Sequence, residues 1–423
     1  MDIKERKIIE TVNHLSDDIF DFTARLVSEP STLGNEEGAT RVMAEELAAL
    51  GFDVSHVAMS SSALQRHEGY APVPWSPGER TNVIGSLVSA GDDGKSALFN
   101  GHLDVVNPGN DKFWSRDPFE PAIFDGWLHG RGAGDMKSGV AAMTYAAHAI
   151  HKAGFRLRAP FTLAAVLEEE CCGNGAIACL AEGYDAQAVL IPEPFGPTIL
   201  TSQLGVLWFK VSLSGKSTHV LDARGGINAI EKCYPIFRAL RQLEAELNAE
   251  TRPEEYVETD HPVNLNIGTI AGGDWPSTVP ADASFEARLS FFPNTSFEEV
   301  RQRIETTVNA VVDADQWLRL NPPVLEFYGF RSAGHTLQRN LATLSTLDSC
   351  HQALHGAPAK SYIATCTTDL RAYVHYGQGE ATCYGPVAEN IHGADERVNL
   401  ESIINVARTY ALFLSRWCLI AEN

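Results

Sequence analysis

The chain has 423 residues, a formal net charge of −21, and 44% hydrophobic against 21% charged residues. Its length exceeds what one core ordinarily serves and predicts two domains or one enlarged domain, and its composition is that of a folded globular protein rather than a disordered one. The acidic field repels phosphate backbones and anionic lipid, which argues against nucleic acid and membrane surfaces as partners.

The opening twenty residues are charged throughout and lack the apolar core of a signal peptide, and the longest uncharged apolar stretch, 138–150, is too short to cross a bilayer. A cytoplasmic protein is expected. Residues 35–50 have helical periodicity, 81–89 and 96–106 read as strands, 138–153 as a helix of small residues, and 160–167 and 188–191 as further strands. This alternation predicts an α/β catalytic domain, a mostly parallel sheet covered by helices.

From Gly205 the pattern changes. Residues 205–213 read as a strand, 226–247 as a helix with Pro235 near its first turns, and 263–270 and 283–292 as strands. Ser296 and Glu299 form a capping box opening a helix towards Trp317, and the strand 324–330 follows. The order βαββαβ is that of a ferredoxin-like layer. After Gly334 the alternation resumes, and Asn399 offers an N-cap for a last helix running to about Trp417. The expected organisation is a discontinuous catalytic domain, 1–202 and 329–423, with an inserted lid or dimerisation domain, 203–328, hinged near Thr201 and Tyr328.

Eight cysteines without CxxC spacing fit neither a disulfide framework nor a zinc finger, and a redox role for the adjacent Cys171 and Cys172 would need unusual backbone geometry. Neither Gly94-Lys-Ser nor Gly215-Lys-Ser has the earlier glycine of a phosphate loop; Ser89 and Lys210 stand there instead.

Metal-ligating residue types recur where strands end. The run Asn100-Gly-His-Leu-Asp-Val-Val106 closes an apolar strand on His102 and Asp104, and because residues two apart on a strand point the same way, both side chains are expected to emerge together at its C-terminal end. Asp135 lies in the glycine-rich turn 130–139, and the strand ending at Leu167 runs into Glu168-Glu169-Glu170. Carboxylates so placed repel one another unless cations are near. Glu193 stands between two prolines, and His392 lies in the loop before the last helix. Each of these alone is an ordinary surface or structural residue; together they form a ligand set.

The ordered segments GHLDVV at 101–106, WSRDPFEP at 114–121, GRGAGDMKSG at 130–139, EEECCGNG at 168–175, PEP at 192–194 and ENIHGADE at 389–396 resemble the acetylornithine deacetylase, succinyl-diaminopimelate desuccinylase and aminoacylase family of co-catalytic zinc hydrolases. The resemblance covers nearly the whole chain and implies two divalent ions. His102 and Glu193 would hold one, Glu170 and His392 the other, with Asp135 bridging. Asp104 would orient His102, and Glu169 would be the general base. The resemblance further implies that His219 reaches a partner subunit's site in a homodimer and that Arg288 binds a substrate carboxylate. Three carboxylates and one hydroxide balance two divalent charges, and imidazole with carboxylate suits Zn2+, with Co2+ or Mn2+ as substitutes. Two departures stand out: Cys172 where glycine is usual, and Ser277 where asparagine is frequent.

The expected activity is hydrolysis of a small-molecule amide, an N-acyl amino acid deacylase in the first instance. A dipeptidase or carboxypeptidase on the same scaffold is the alternative, and a non-catalytic binding protein is the reading from another class.

Overall fold

The computed structural model describes residues 1–422. Before the insertion, five strands form a sheet: β1 (Asp53–Ala58), β2 (Thr81–Leu87), β3 (Ala97–His102), β4 (Phe161–Val166) and β5 (Ala188–Ile191). The inserted layer contributes β6 (Gly205–Ser214), β7 (Leu265–Gly272), β8 (Asp282–Phe291) and β9 (Val324–Ser332), and β10 (Glu380–Cys383) follows it. The helices that matter here are α1 (Ser138–Lys152), α2 (Ala229–Ala249), α3 (Phe297–Ala314) and α4 (Leu400–Trp417).

The catalytic sheet has the order β1-β2-β4-β3-β5-β10. β4, β3, β5 and β10 pair in parallel, and β2 is antiparallel to both its neighbours. β3 lies inside this sheet, and all six of its residues are buried because helices cover both faces. The alanine-rich α1 is buried along nearly its whole length and packs against α4. Small side chains permit that close approach, and the helix of small residues expected at 138–153 is the one that forms.

The inserted layer is a four-stranded antiparallel sheet in the order β7-β8-β6-β9 with α2 and α3 on one face, a ferredoxin-like arrangement. Its core, which includes Leu207, Phe209, Leu240, Phe285 and Ile304, is separate from the catalytic core of Phe99, Val140, Leu163, Leu190 and Tyr410. The capping box forms as expected, with Ser296 Oγ accepting the N–H of Glu299 and Glu299 accepting the N–H of Ser296. Asn399 caps α4 by accepting the N–H of Ser402.

Thr201 lies within the strand Thr198–Gln203 and Tyr328 within β9, and Gln203 pairs with His335, which brings the segments entering and leaving the inserted layer together. At Gly334 a Cβ would stand 2.6 Å from Gly205 N and 2.7 Å from the Gln203 carbonyl, so only glycine lets the two connections pass this closely. No helix among the described residues is long and apolar enough to cross a membrane.

Candidate metal centre

Because β3, β4 and β5 are parallel neighbours, their C-terminal ends open on one edge of the sheet, where such folds place their sites. His102 is the last residue of β3, the triplet Glu168–Glu170 follows β4, and Glu193 follows β5. Asp135 arrives in the turn before α1, and His392, with left-handed backbone (φ 60°), in the tight loop before α4.

Asp135 faces both histidines. Its Oδ1 lies 3.0 Å from His102 Nε2, and its Oδ2 lies 3.5 Å from His392 Nε2. His392 Nε2 is also 3.1 Å from the Glu170 carboxylate. Ligand atoms of His102, Asp135 and Glu170 all lie within 4.8 Å of one another, close enough to share ions. Glu193 is buried, and its Oε1 has no protein hydrogen-bond partner, which leaves a carboxylate oxygen for a cation.

The triplet divides its roles by direction. Glu168, also left-handed (φ 64°), turns away to pair with Arg80, and it accepts from Trp75 Nε1 at 2.9 Å and Cys172 Sγ at 3.0 Å. Glu168, Cys171 and Cys172 are close enough to form a second ligand-like group. Arg80 already neutralises this carboxylate, and the burial and hydrogen bonding that raise both thiol pKa values keep them protonated, so it lacks the charge of a cation site. The two sulfurs stand 3.9 Å apart, unbonded. Glu169 is buried, with its Oε2 3.9 Å from His102 Nε2.

Asp104 departs from the strand reading. β3 stops at His102, so the two side chains are not consecutive residues on one strand face. His102 Nδ1 instead meets the Asp104 backbone carbonyl at 2.8 Å, and the Asp104 carboxylate lies 3.8 Å from that nitrogen while accepting the N–H groups of Glu169 and Glu170. The carboxylate therefore positions the triplet, and the carbonyl orients the imidazole.

The electrostatics call for positive charge. Burial would lower the His102 pKa, but the hydrogen bond to Asp135 and the charges of Glu169, Asp135 and Asp104 hold it well above the ordinary value. Burial acts likewise on His392, and Asp135 and Glu170 push it to about 11. Burial would raise the Asp135 pKa, yet the two histidines hold it below the carboxylate range. Glu193 is pushed well up by burial and by Asp135. The raised imidazoles mark a site short of positive charge, and the donor set of two imidazoles and three carboxylates fits divalent ions.

The two residues assigned on the inserted layer stand apart. His219 is exposed, its Nδ1 accepts the N–H of Leu221 at 3.1 Å, and no contact joins it to the cluster among the described residues. Arg288, on β8, lines a cavity of about 130 Å³ with Trp208, Asn266, Glu286 and Tyr328 and makes no ion pair among the described residues. Burial pushes the Cys366 thiol up to about 12, with Glu193, Glu169 and Asp135 adding to the rise and Arg288 opposing it. Trp208 packs with Cys171 and Cys172, so the inserted layer touches the triplet turn directly.

Several supporting residues were not legible as such. Lys137 is fully buried, its Nζ donates to the carbonyls of Leu26 and Glu29 at 2.8 Å, and burial lowers its pKa to about 7. Asp369 accepts from Asn100 Nδ2 at 3.1 Å, and Arg371 donates to the Cys172 carbonyl behind the triplet. Gly173 is left-handed (φ 68°), and a Cβ there would strike that guanidinium. Lys137 and Glu396, both fully buried, lie inside motifs already singled out, but a motif does not say which of its charges turns inward.

The protein-family model described as peptidase family M20/M25/M40 matches residues 98–416. The chain is 28% identical over 363 residues to an N-formyl-4-amino-5-aminomethyl-2-methylpyrimidine deformylase of Bacillus subtilis (strain 168), covering 81% of this chain and 84% of that protein. It is 26% identical over 412 residues to a succinyl-diaminopimelate desuccinylase of Thioalkalivibrio sulfidiphilus (strain HL-EbGR7), covering 94% and 98%. Among solved structures, the di-peptidase Dug1p from Saccharomyces cerevisiae shares the fold with a TM-score of 0.81 at 14% identity over 99% of each chain.

Proposed function

The chain belongs to peptidase family M20/M25/M40 and is a hydrolase of that family; from that premise we propose that it is a two-metal amide hydrolase removing the acyl group from an N-acyl amino acid. The observation that carries this reading is Asp135, whose two oxygens each face a histidine, at 3.0 and 3.5 Å, as a carboxylate shared between two ions must. His102 and Glu193 would hold one ion and His392 and Glu170 the other, with zinc, cobalt or manganese matching the donors.

Bound there, two divalent ions would polarise the scissile carbonyl and lower the pKa of a water towards ~7. Glu169 would take a proton from the attacking water and return it to the leaving amine, so no Ser or Cys nucleophile is needed. In the metal-free protein burial raises the Glu169 pKa against the pull of His102, and Glu193 and Asp369 add to the rise. Arg288, desolvated and without an acidic partner, would receive a substrate carboxylate.

In the same proposal the active unit is a homodimer formed through the inserted layer, whose edge strand β7 is exposed along most of its length. His219 then serves the partner's site, which accounts for its exposure here. Reduced cytoplasmic surroundings fit eight free cysteines.

The deacylase reading is preferred to the dipeptidase one because the relatives at 28% and 26% identity are named for removing formyl and succinyl groups, whereas the likeness to the di-peptidase, at 14% identity, is one of fold alone. A panel of N-acyl amino acids and dipeptides, assayed together with bound-metal analysis of the unsubstituted protein and of Asp135→Ala, tests the proposal. Turnover of acyl amino acids by a protein holding about two ions, with metal and activity lost together in Asp135→Ala, is expected. Faster turnover of dipeptides, or full metal occupancy in the variant, overturns it.

A further inference from the structure

The turn carrying Asp135 and the loop carrying His392 meet at one buried carboxylate. Glu396 Oε1 accepts the N–H of Gly134 at 2.8 Å and of Asp135 at 3.0 Å, and its Oε2 pairs with Arg131 Nη1. Arg131 Nη2 in turn donates at 3.0 Å to the carbonyl of Gly393, the residue after His392. The main chain adds a third tie, Gly130 N–H to the Glu396 carbonyl at 3.0 Å. Arg131, four residues before Asp135, thus reaches the His392 loop, and Glu396, four residues after His392, reaches the Asp135 turn.

Both side chains are almost completely buried, Arg131 at 1% exposure and Glu396 at 0%. Desolvating such a pair costs about as much as the pairing returns, and apolar residues of similar volume often serve stability as well. What an apolar pair could not supply is the set of directed hydrogen bonds to Asp135 on one side and to the His392 loop on the other. That loop gains from an outside constraint, because Asn390, His392 and Asp395 all adopt left-handed backbone (φ 57°, 60° and 56°), a conformation that Asn, Asp and His tolerate better than other non-glycine residues but that still costs free energy.

We propose that Glu396 and Arg131 are positioning residues that set the spacing between the two metal positions, and that through them the position of His392 and Glu170 depends on the Asp135 turn. The proposal rests on the two-metal reading above. Glu396→Gln separates the two halves of the linkage. The amide oxygen can still accept from Gly134 and Asp135, but its NH2 group faces the Arg131 guanidinium and repels it, so the tie to Gly393 is lost. The His102 position should then keep its ion while the His392 position weakens.

The experiment is calorimetric titration of metal-stripped protein with Zn2+ and with Co2+, the latter followed also by its absorption spectrum, on the unsubstituted protein, Glu396→Gln and Arg131→Lys. The unsubstituted protein should bind two ions. Glu396→Gln should bind one with unchanged affinity and the second about 10- to 100-fold more weakly, the usual effect of removing a residue that orients a ligand. Arg131→Lys, which keeps the charge but not the two-pronged geometry, should fall between. Two ions bound at unchanged affinity in Glu396→Gln overturns the proposal, and so does equal weakening of both, which would make Glu396 a general support rather than a link to one position. If the unsubstituted protein binds fewer than two ions, the two-metal reading itself fails, visibly and before any variant is compared. A misfolded Glu396→Gln, detected by near-ultraviolet circular dichroism, leaves Arg131→Lys to decide on the same criterion: no selective loss there overturns the proposal.

Discussion

The carboxylate of Asp104 accepts the backbone N–H of Glu170 at 3.1 Å. Through its neighbouring contact with Glu169 N–H, at 3.3 Å, and through its own carbonyl on His102 Nδ1, at 2.8 Å, the same residue holds the ends of β3 and β4 in register at the metal centre. Its burial raises its pKa to about 7. Asp104→Asn keeps one acceptor and exchanges the other for a donor, which then faces an N–H group. Metal affinity and kcat should each fall by about 10- to 100-fold with the fold retained. Equilibrium dialysis and circular dichroism read this out, and unchanged metal affinity would assign Asp104 no part in supporting the ligands.

Glu169→Gln removes a proton acceptor and no proposed ligand. The turnover number should fall by ~10² to 10⁴ while both ions stay bound, because general acid–base groups contribute on that scale. Glu170→Gln should do the reverse, releasing metal from the His392 position. Metal loss on substituting Glu169 and metal retention on substituting Glu170 would reverse the two roles.

Metal binding should be strongly pH-dependent. In the metal-free state the carboxylates hold both imidazoles protonated near neutrality, His102 well above its ordinary value and His392 at about 11, despite the opposing effect of burial. Raised folded-state values stabilise the metal-free fold fully below the unfolded value of ~6.5, and the His392 contribution is lost as pH rises through about 11. Divalent ions must displace these protons, so loading both positions at pH 7 to 8 should release at least two protons, one from each imidazole, with Glu193, whose pKa is also raised, adding to the release, and affinity should rise with pH. Calorimetry in buffers of differing ionisation enthalpy measures the release. Heats independent of the buffer would contradict the protonation states drawn here.

If His219 acts across a dimer interface, His219→Ala should lower turnover by ~10² to 10³ without changing metal content, as removal of an oxyanion donor does. Mixing His219→Ala subunits with Glu169→Gln subunits should restore activity in part, since each mixed dimer contains one site with both groups intact. Demonstrated subunit exchange with no return of activity would place His219 within its own chain or outside the reaction.

Much of this was legible in one dimension. Strand alternation, the capping box at Ser296 and Glu299 and the N-cap at Asn399 depend on local periodicity and local hydrogen bonds, and both caps form as read. The residue types of the proposed ligand set were legible because His102, the 168–170 triplet and Glu193 end or follow apolar runs that read as buried strands. Which carboxylate of the triplet faces the centre was decided by tertiary contacts: Arg80 and Trp75, some ninety residues away in sequence, draw Glu168 aside, and Asp104 holds the backbone of the other two. The linkage of Glu396 and Arg131 spans 265 residues of sequence and has no periodic signature at either end. Periodicity records which faces are apolar; a buried polar side chain's direction depends on the partner that satisfies it, and that partner is supplied only when distant segments fold together.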